Sequence, residues 1–283
     1  MISLVLNEVW AFDCEWVPDL TAGRLLYGLS DECPTEEVLH VMWEQGGATP
    51  ENPQPFLRLI HCRIVSIAMV IRQVLKDKTV RLSLKTLPSN PDDPAQRKES
   101  EILRLFLEEG VGKRAPQLVG FNSRNADLRI LQQRALIKGM RLPGFSAQLS
   151  AKPWEQTSID LMDILCGFGK TYGATLNELA TLSGIPGKLD VSGDDVCGLW
   201  FQGKYREICD YNCFDALSTY LLWLRTAYFS GCFSPEQYSN EQAHVRQLIM
   251  EEMEKPHGAY LKTYLDAWDH LQQRKSDAEA LSE

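Results

Sequence analysis

Apolar and polar residues alternate between Leu4 and Trp16, with Trp10, Phe12, Cys14 and Trp16 on one side, and this two-residue period predicts a β-strand. Residues 18–57 break the pattern. They are acidic and rich in proline and glycine, with one helical patch near Thr35–Glu44, and read as an insertion or lid-like segment. Arg63–Val74 and Thr79–Leu87 are rich in valine, isoleucine and leucine; they read as two strands joined by a short polar turn containing Lys76–Lys78. Ser89–Pro94 is a turn cluster.

A helical period takes over in Glu99–Glu109, where apolar residues fall at 102, 103, 105, 106 and 107. Gln117–Phe121 has the composition of a short buried strand, Ala126–Met140 of a helix, and Ser158–Leu165 of a strand or extended segment. Thr175–Ser183 reads as a helix closed by Gly184, and Lys204–Tyr228 as a long helix. Helices are also expected over Pro235–Glu254 and Tyr260–Gln273, with the last ten residues frayed. Strands joined by tight turns, followed by strand–helix alternation, predict an α/β fold: a mixed sheet with helices packed on it. The boundary is placed at about residue 232, with residues 233–283 as a C-terminal helical extension.

Composition narrows the picture only a little. The chain has 283 residues, is 44% hydrophobic and 24% charged, and can bury a sizeable core. It contains no apolar run of the ~18 residues that a membrane span needs, and its start lacks a basic leader, so a cytoplasmic protein is expected. Eight cysteines form no CxxC pair, and the five histidines do not cluster near them, so reduced, mostly buried thiols are expected rather than zinc or disulfides. The net charge of −9 counts against a protein that coats long nucleic acid electrostatically. It does not count against an enzyme that grips a few phosphates through bound metals.

Three short patterns carry candidate chemistry. Asp13-Cys14-Glu15 ends the first strand, so two carboxylates share one face; alone they read equally as a solvated strand end. Asn122 and Asp127 follow the buried strand Gln117–Phe121, where α/β sheets place their sites, although Asp127 also suits a helix N-cap. Tyr211 and Asp215 are four apart on the long helix and share a face; an exposed Asp beside a core Tyr would fit as well. Together they supply four carboxylates and a phenol. Hard oxygen ligands suit Mg²⁺ or Mn²⁺, and two such ions about 3.5–4 Å apart would offset the repulsion and clamp a phosphoryl displacement.

In that order the stretches AFDCEWVPD, LVGFNSRNADLRIL and YNCFDALSTYLL resemble the DEDD exonuclease superfamily, in its tyrosine subtype. The histidine subtype would carry His one residue before Tyr211, where this chain has Asp210. SIDLMDIL at 158–165 and LNELATLSGIPGKLDVSGDDV at 176–196 make it more similar to stand-alone bacterial exonucleases related to the proofreading domain of B-family DNA polymerases. The resemblance runs from about residue 9 to about 230. It implies a ribonuclease H-like fold and two-metal 3′–5′ hydrolysis of single-stranded nucleic acid, DNA before RNA. Asp13, Glu15, Asp127 and Asp215 would be the metal ligands, Tyr211 would orient or deprotonate water, and Asn122 would meet substrate. Trp16 stands where these relatives carry a small Thr, and Ala126 where they often carry an aromatic residue. Trp16 and Phe121 are the aromatic candidates for stacking on a terminal base, or else core. Asp160 reads as a supporting acid, and Arg124, Lys170 and Lys188 as cations that could meet phosphates or simply face solvent. Asp92, Asp93, Asp194 and Asp195 read as turn and cap residues. The rival reading is a silent module of the same fold that binds nucleic acid or a partner protein.

Overall fold

The computed structural model describes residues 1–152, 155–167, 173–187, 189 and 196–282, with side chains up to residue 277. Lys170, Lys188, Asp194 and Asp195 lie outside the described residues.

The alternating segments form a five-stranded sheet of order β3-β2-β1-β4-β5. Its strands are β1 (Glu8–Pro18), β2 (Cys62–Val74), β3 (Val80–Leu87), β4 (Gln117–Gly120) and β5 (Ser158–Asp160). β2 runs antiparallel to β1 and β3, while β4 runs parallel to β1 and β5. This is the expected mixed sheet. The central β1 is irregular at one point: the register with β2 shifts between Glu15 and Trp16, a β-bulge beside the candidate carboxylates.

Strand alternation sorts β1 between two cores. Val9 and Ala11 pack with Phe214, Leu217 and Tyr220 of the long helix α9 (Tyr205–Phe229), whereas Trp10, Phe12 and Cys14 pack on the other face with Ile102, Phe106, Leu128 and Leu131. The helices between β3 and α9 include α3 (Glu99–Leu103), which continues as a π-helix over Arg104–Gly112, α4 (Asp127–Ile137), α5 (Pro143–Ser150), α6 (Leu161–Cys166), α7 (Leu176–Leu182) and α8 (Val196–Phe201). The expected extended segment at 158–165 is therefore a three-residue strand followed by a helical turn. Asp160 causes the switch, since its side chain caps α6 by accepting from the Met162 amide. α5 and α8 were not anticipated from periodicity; α5 is started by Pro143 in its first turn.

The 18–57 segment is more ordered than its composition suggests. It holds α1 (Leu20–Tyr27), capped by Asp19, and α2 (Thr35–Gln45). The two helices meet at Gly23, where a Cβ would lie 2.6 Å from Met42 Sδ and 2.8 Å from Val38 Cγ1, so a larger residue would have to push these side chains aside. Asp19 joins a buried ion cluster in which Arg134 of α4 reaches it at 2.7 Å and Glu99 of α3 at 2.6 Å. Glu99 in turn accepts the Ile64 amide of β2 at 2.9 Å.

The C-terminal residues share the main core. Val245 and Ile249 of α10 (Pro235–Met253) and Tyr264 and Trp268 of α11 (Leu261–Ser282) pack in the same cluster as Leu217 and Trp223 of α9. Buried Arg72 of β2 pairs with Glu241 of α10 at 2.6 Å, and Glu241 also accepts from the Tyr220 hydroxyl at 3.0 Å. The tail expected to fray continues α11 to Ser282.

Candidate active site

The β1 face that starts with Val9 and Ala11 continues through Asp13 and Glu15, because side chains alternate along a strand. Its apolar members meet α9, so its acidic members face α9 as well. Asp215 lies on that helix four residues after Tyr211. One carboxylate oxygen each from Asp13, Glu15 and Asp215 falls within 4.8 Å of the others, with Asp215 buried and the other two partly exposed. Strand and helix thus bring Asp215 to two residues that lie 202 and 200 positions before it in the sequence.

Asp127 approaches from the opposite layer. It is the first residue of α4 rather than its cap; Ala126 holds the cap position with no side-chain bond. The buried Asp127 carboxylate instead accepts the Cys14 amide at 2.9 Å, midway between Asp13 and Glu15. Burial raises its pKa to about 7, with a further contribution from the nearby Asp160 charge. Asp160 fixes the turn that carries Asp127: it accepts the Asn122 and Arg124 amides at 2.9 and 2.8 Å. Asn122 has φ +57, a left-handed conformation that asparagine tolerates better than most residues.

Tyr211 is buried against Val17, Val65, Val196 and Ile208, and its phenol bonds Asp215. Burial foremost, and then the surrounding carboxylates, push that phenol well above its usual pKa. Between them sits Asn212, fully buried and not singled out from sequence. With its amide turned so that both ends are satisfied, it donates to Asp13 Oδ2 and to the Asp13 carbonyl at 3.2 Å and accepts from Ser66 Oγ at 3.0 Å. An amide set between Tyr211 and the apolar pair Cys213-Phe214 was the available signal.

Asp13, Glu15 and Asp215, but not Asp127, line the floor of a cleft of about 610 Å³. Trp16 and Tyr211 line it, and its far wall comes from the insertion, through Trp43, Asn52, Gln54 and Phe56. Phe121 and Asn122 are not among the lining residues; Phe121 packs against the α9-side core. Arg124 pairs with Asp163 at 3.4 Å. The cleft can hold divalent cations on hard oxygen ligands and admit a slender, partly apolar chain end.

Comparison with known proteins finds a matching family model and similar solved structures. A family model described as "Predicted 3'-5' exonuclease related to the exonuclease domain of PolB" matches residues 54–268. That stretch contains Asp127, Tyr211 and Asp215 and begins beyond Asp13 and Glu15. Among solved structures, the family B DNA polymerase from the hyperthermophilic archaeon Pyrobaculum calidifontis is similar, with 16% identity, 79% of this chain covered and a TM-score of 0.46. The chain spans 25% of that polymerase's length. No curated protein matches the chain.

Proposed function

The chain belongs to the family of predicted 3′–5′ exonucleases related to the exonuclease domain of PolB, and on that premise we propose that it removes nucleotides one at a time from the 3′ end of single-stranded DNA by two-metal hydrolysis. The observation that carries this reading is the convergence of Asp13, Glu15 and Asp215 within 4.8 Å at the floor of an open cleft. The residues fit the metals: the donors are all carboxylate oxygens, and like charges this close are stabilised by a divalent cation. Asp13, Glu15, Asp215 and Asp127 would hold Mg²⁺ or Mn²⁺. When bound, such ions lower the pKa of the attacking water and neutralise charge on the phosphate.

The chain's own groups then have separable tasks. Asn212 fixes the Asp13 carboxylate through its amide. Asp127 locks the strand between the two β1 carboxylates by holding the Cys14 amide. The Tyr211 hydroxyl, beside Asp215, orients the attacking water. Trp16 borders the space that a terminal nucleotide would enter.

The test uses matched single strands labelled at the 5′ or 3′ end, and a circular single strand, each with Mg²⁺, Mn²⁺ or excess EDTA. Expected are a 5′-labelled ladder shortening from its 3′ end, nucleoside monophosphate from the 3′ label, an intact circle and no reaction in EDTA. Cutting of the circle would identify an endonuclease instead. Retention of labelled strand without any shortening would identify a binding module.

A further inference from the structure

The wall that the insertion contributes to the cleft has a chemistry of its own. Phe56 is 83% exposed, and its ring lines the cleft. Half-buried Trp43 lies on the same wall, and half-buried Trp16 stands on the strand beside the carboxylates. The rim between them carries the amides of Asn52 and Gln54. Among the described residues, the cleft lining contains no lysine, arginine or histidine. A nucleic-acid strand entering here therefore meets aromatic faces and amides rather than side-chain cations.

The wall is held in place rather than draped. Leu57 and Leu59 pack into the core beneath β2, the Asp19 amide donates to the His61 carbonyl at 2.8 Å, and Arg134 pins the Asp19 carboxylate. The loop before Phe56 is closed by Thr49 and Asn52, whose amides and carbonyls bond each other at 3.0 and 3.1 Å. A ring presented on such a support loses little entropy when a flat ligand stacks on it.

Resting on the exonuclease reading above, we propose that Phe56 and Trp43 form a base-stacking subsite for the last nucleotides of the single strand, opposite Trp16. The insertion thereby supplies the grip on the bases, while the carboxylate floor supplies the grip on the phosphate through its cations. Stacking is blind to sequence, since every base has a π-face, so the subsite selects for an unpaired end rather than for a particular base. A paired end would have to unstack before it could enter.

The test reads binding and turnover separately. A short deoxynucleotide strand with 2-aminopurine at its 3′ end is titrated with protein in Ca²⁺, and the fluorescence quench reports stacking of that base. In parallel, KM and kcat are measured in Mg²⁺ on an intact strand and on one whose last two residues are abasic. For wild type, the expected results are a clear quench and a KM roughly 5- to 30-fold higher on the abasic strand. Phe56→Leu keeps the bulk and removes the ring face. It should lose most of the quench, raise KM on the intact strand by a similar factor with kcat within about threefold, and leave little further penalty for the abasic end. Phe56→Trp should restore wild-type behaviour, and Trp43→Leu should act like Phe56→Leu. Melting temperatures near wild type, expected for so exposed a Phe56, separate these effects from misfolding. Wild-type quench and KM in both leucine variants would overturn the subsite. If no strand is shortened but the quench is present and lost in Phe56→Leu, the subsite stands and the exonuclease reading falls.

Discussion

At the scale of single residues, the site divides into groups that hold charge, groups that orient, and groups that hold the holders. Asp215→Asn keeps shape and removes one ligand charge, so turnover in Mg²⁺ should drop below detection with the circular dichroism spectrum unchanged. Tyr211→Phe keeps the ring packing against Val17 and Ile208 and loses only the hydroxyl, so kcat should fall on the order of 10²-fold with metal binding intact. Asn212→Leu is the informative third case. It removes the amide beside Asp13 but keeps the volume, so the Mg²⁺ concentration for half-maximal rate should rise about 10- to 100-fold, with partial rescue by excess metal. A rise of less than twofold would show that Asp13 needs no such support. The carboxylates and the phenol were legible in the sequence because spacing of two on a strand and four on a helix fixes a shared face. Asn212 was not, since nothing in its spacing shows that it reaches from α9 to β1. Asp127 was legible as a residue at a helix start, but not the use of its carboxylate by a strand amide in another layer.

At the scale of elements, periodicity recovered all five strands and most of the helices, because each buries one face against a core. It failed where a side chain decides the backbone. SIDLMDIL has the composition of a strand, yet Asp160 stops the strand after three residues by capping the next helix. The same carboxylate holds the turn before α4 through the Asn122 and Arg124 amides, so one residue sets two junctions. Asp160→Asn replaces one of its oxygens with a donor that cannot accept an amide. This should cost about 1–3 kcal/mol of stability and lower kcat about tenfold through displacement of Asp127. A stable variant with wild-type kcat would show that the turn holds without it. The insertion was visible as a break in pattern with one helical patch, but its contribution to the cleft was not: Phe56 lies outside any periodic segment, and the position of Trp43 depends on how α1 and α2 pack.

At the scale of the molecule, the packing is continuous across residue 232, where the helical extension was expected to begin. Phe233, Val245, Tyr264 and Trp268 share a core with the helix that carries Asp215. Arg72 and Glu241 join the sheet to α10 inside that core. Glu241→Gln leaves the Arg72 guanidinium buried without its counter-charge, which should cost roughly 3–5 kcal/mol and lower the melting temperature by roughly 6–15 °C. Activity of the folded fraction at low temperature should persist, since neither residue lines the carboxylate cleft. A melting temperature within about 2 °C of wild type would show that the pair carries little.

The clasp that α4 makes on the sheet has a kinetic side. Its first residue takes the amide of Cys14, and its Arg134 steadies Glu99, which takes the amide of Ile64. Both backbone protons lie in the central strands next to the bulge, yet both are held by carboxylates that belong to helices. They can trade with deuterium only when the helical layer lifts, not when the sheet edge frays. Two neighbouring protons thus keep time for one event, the parting of the helices from the sheet directly under the carboxylate floor.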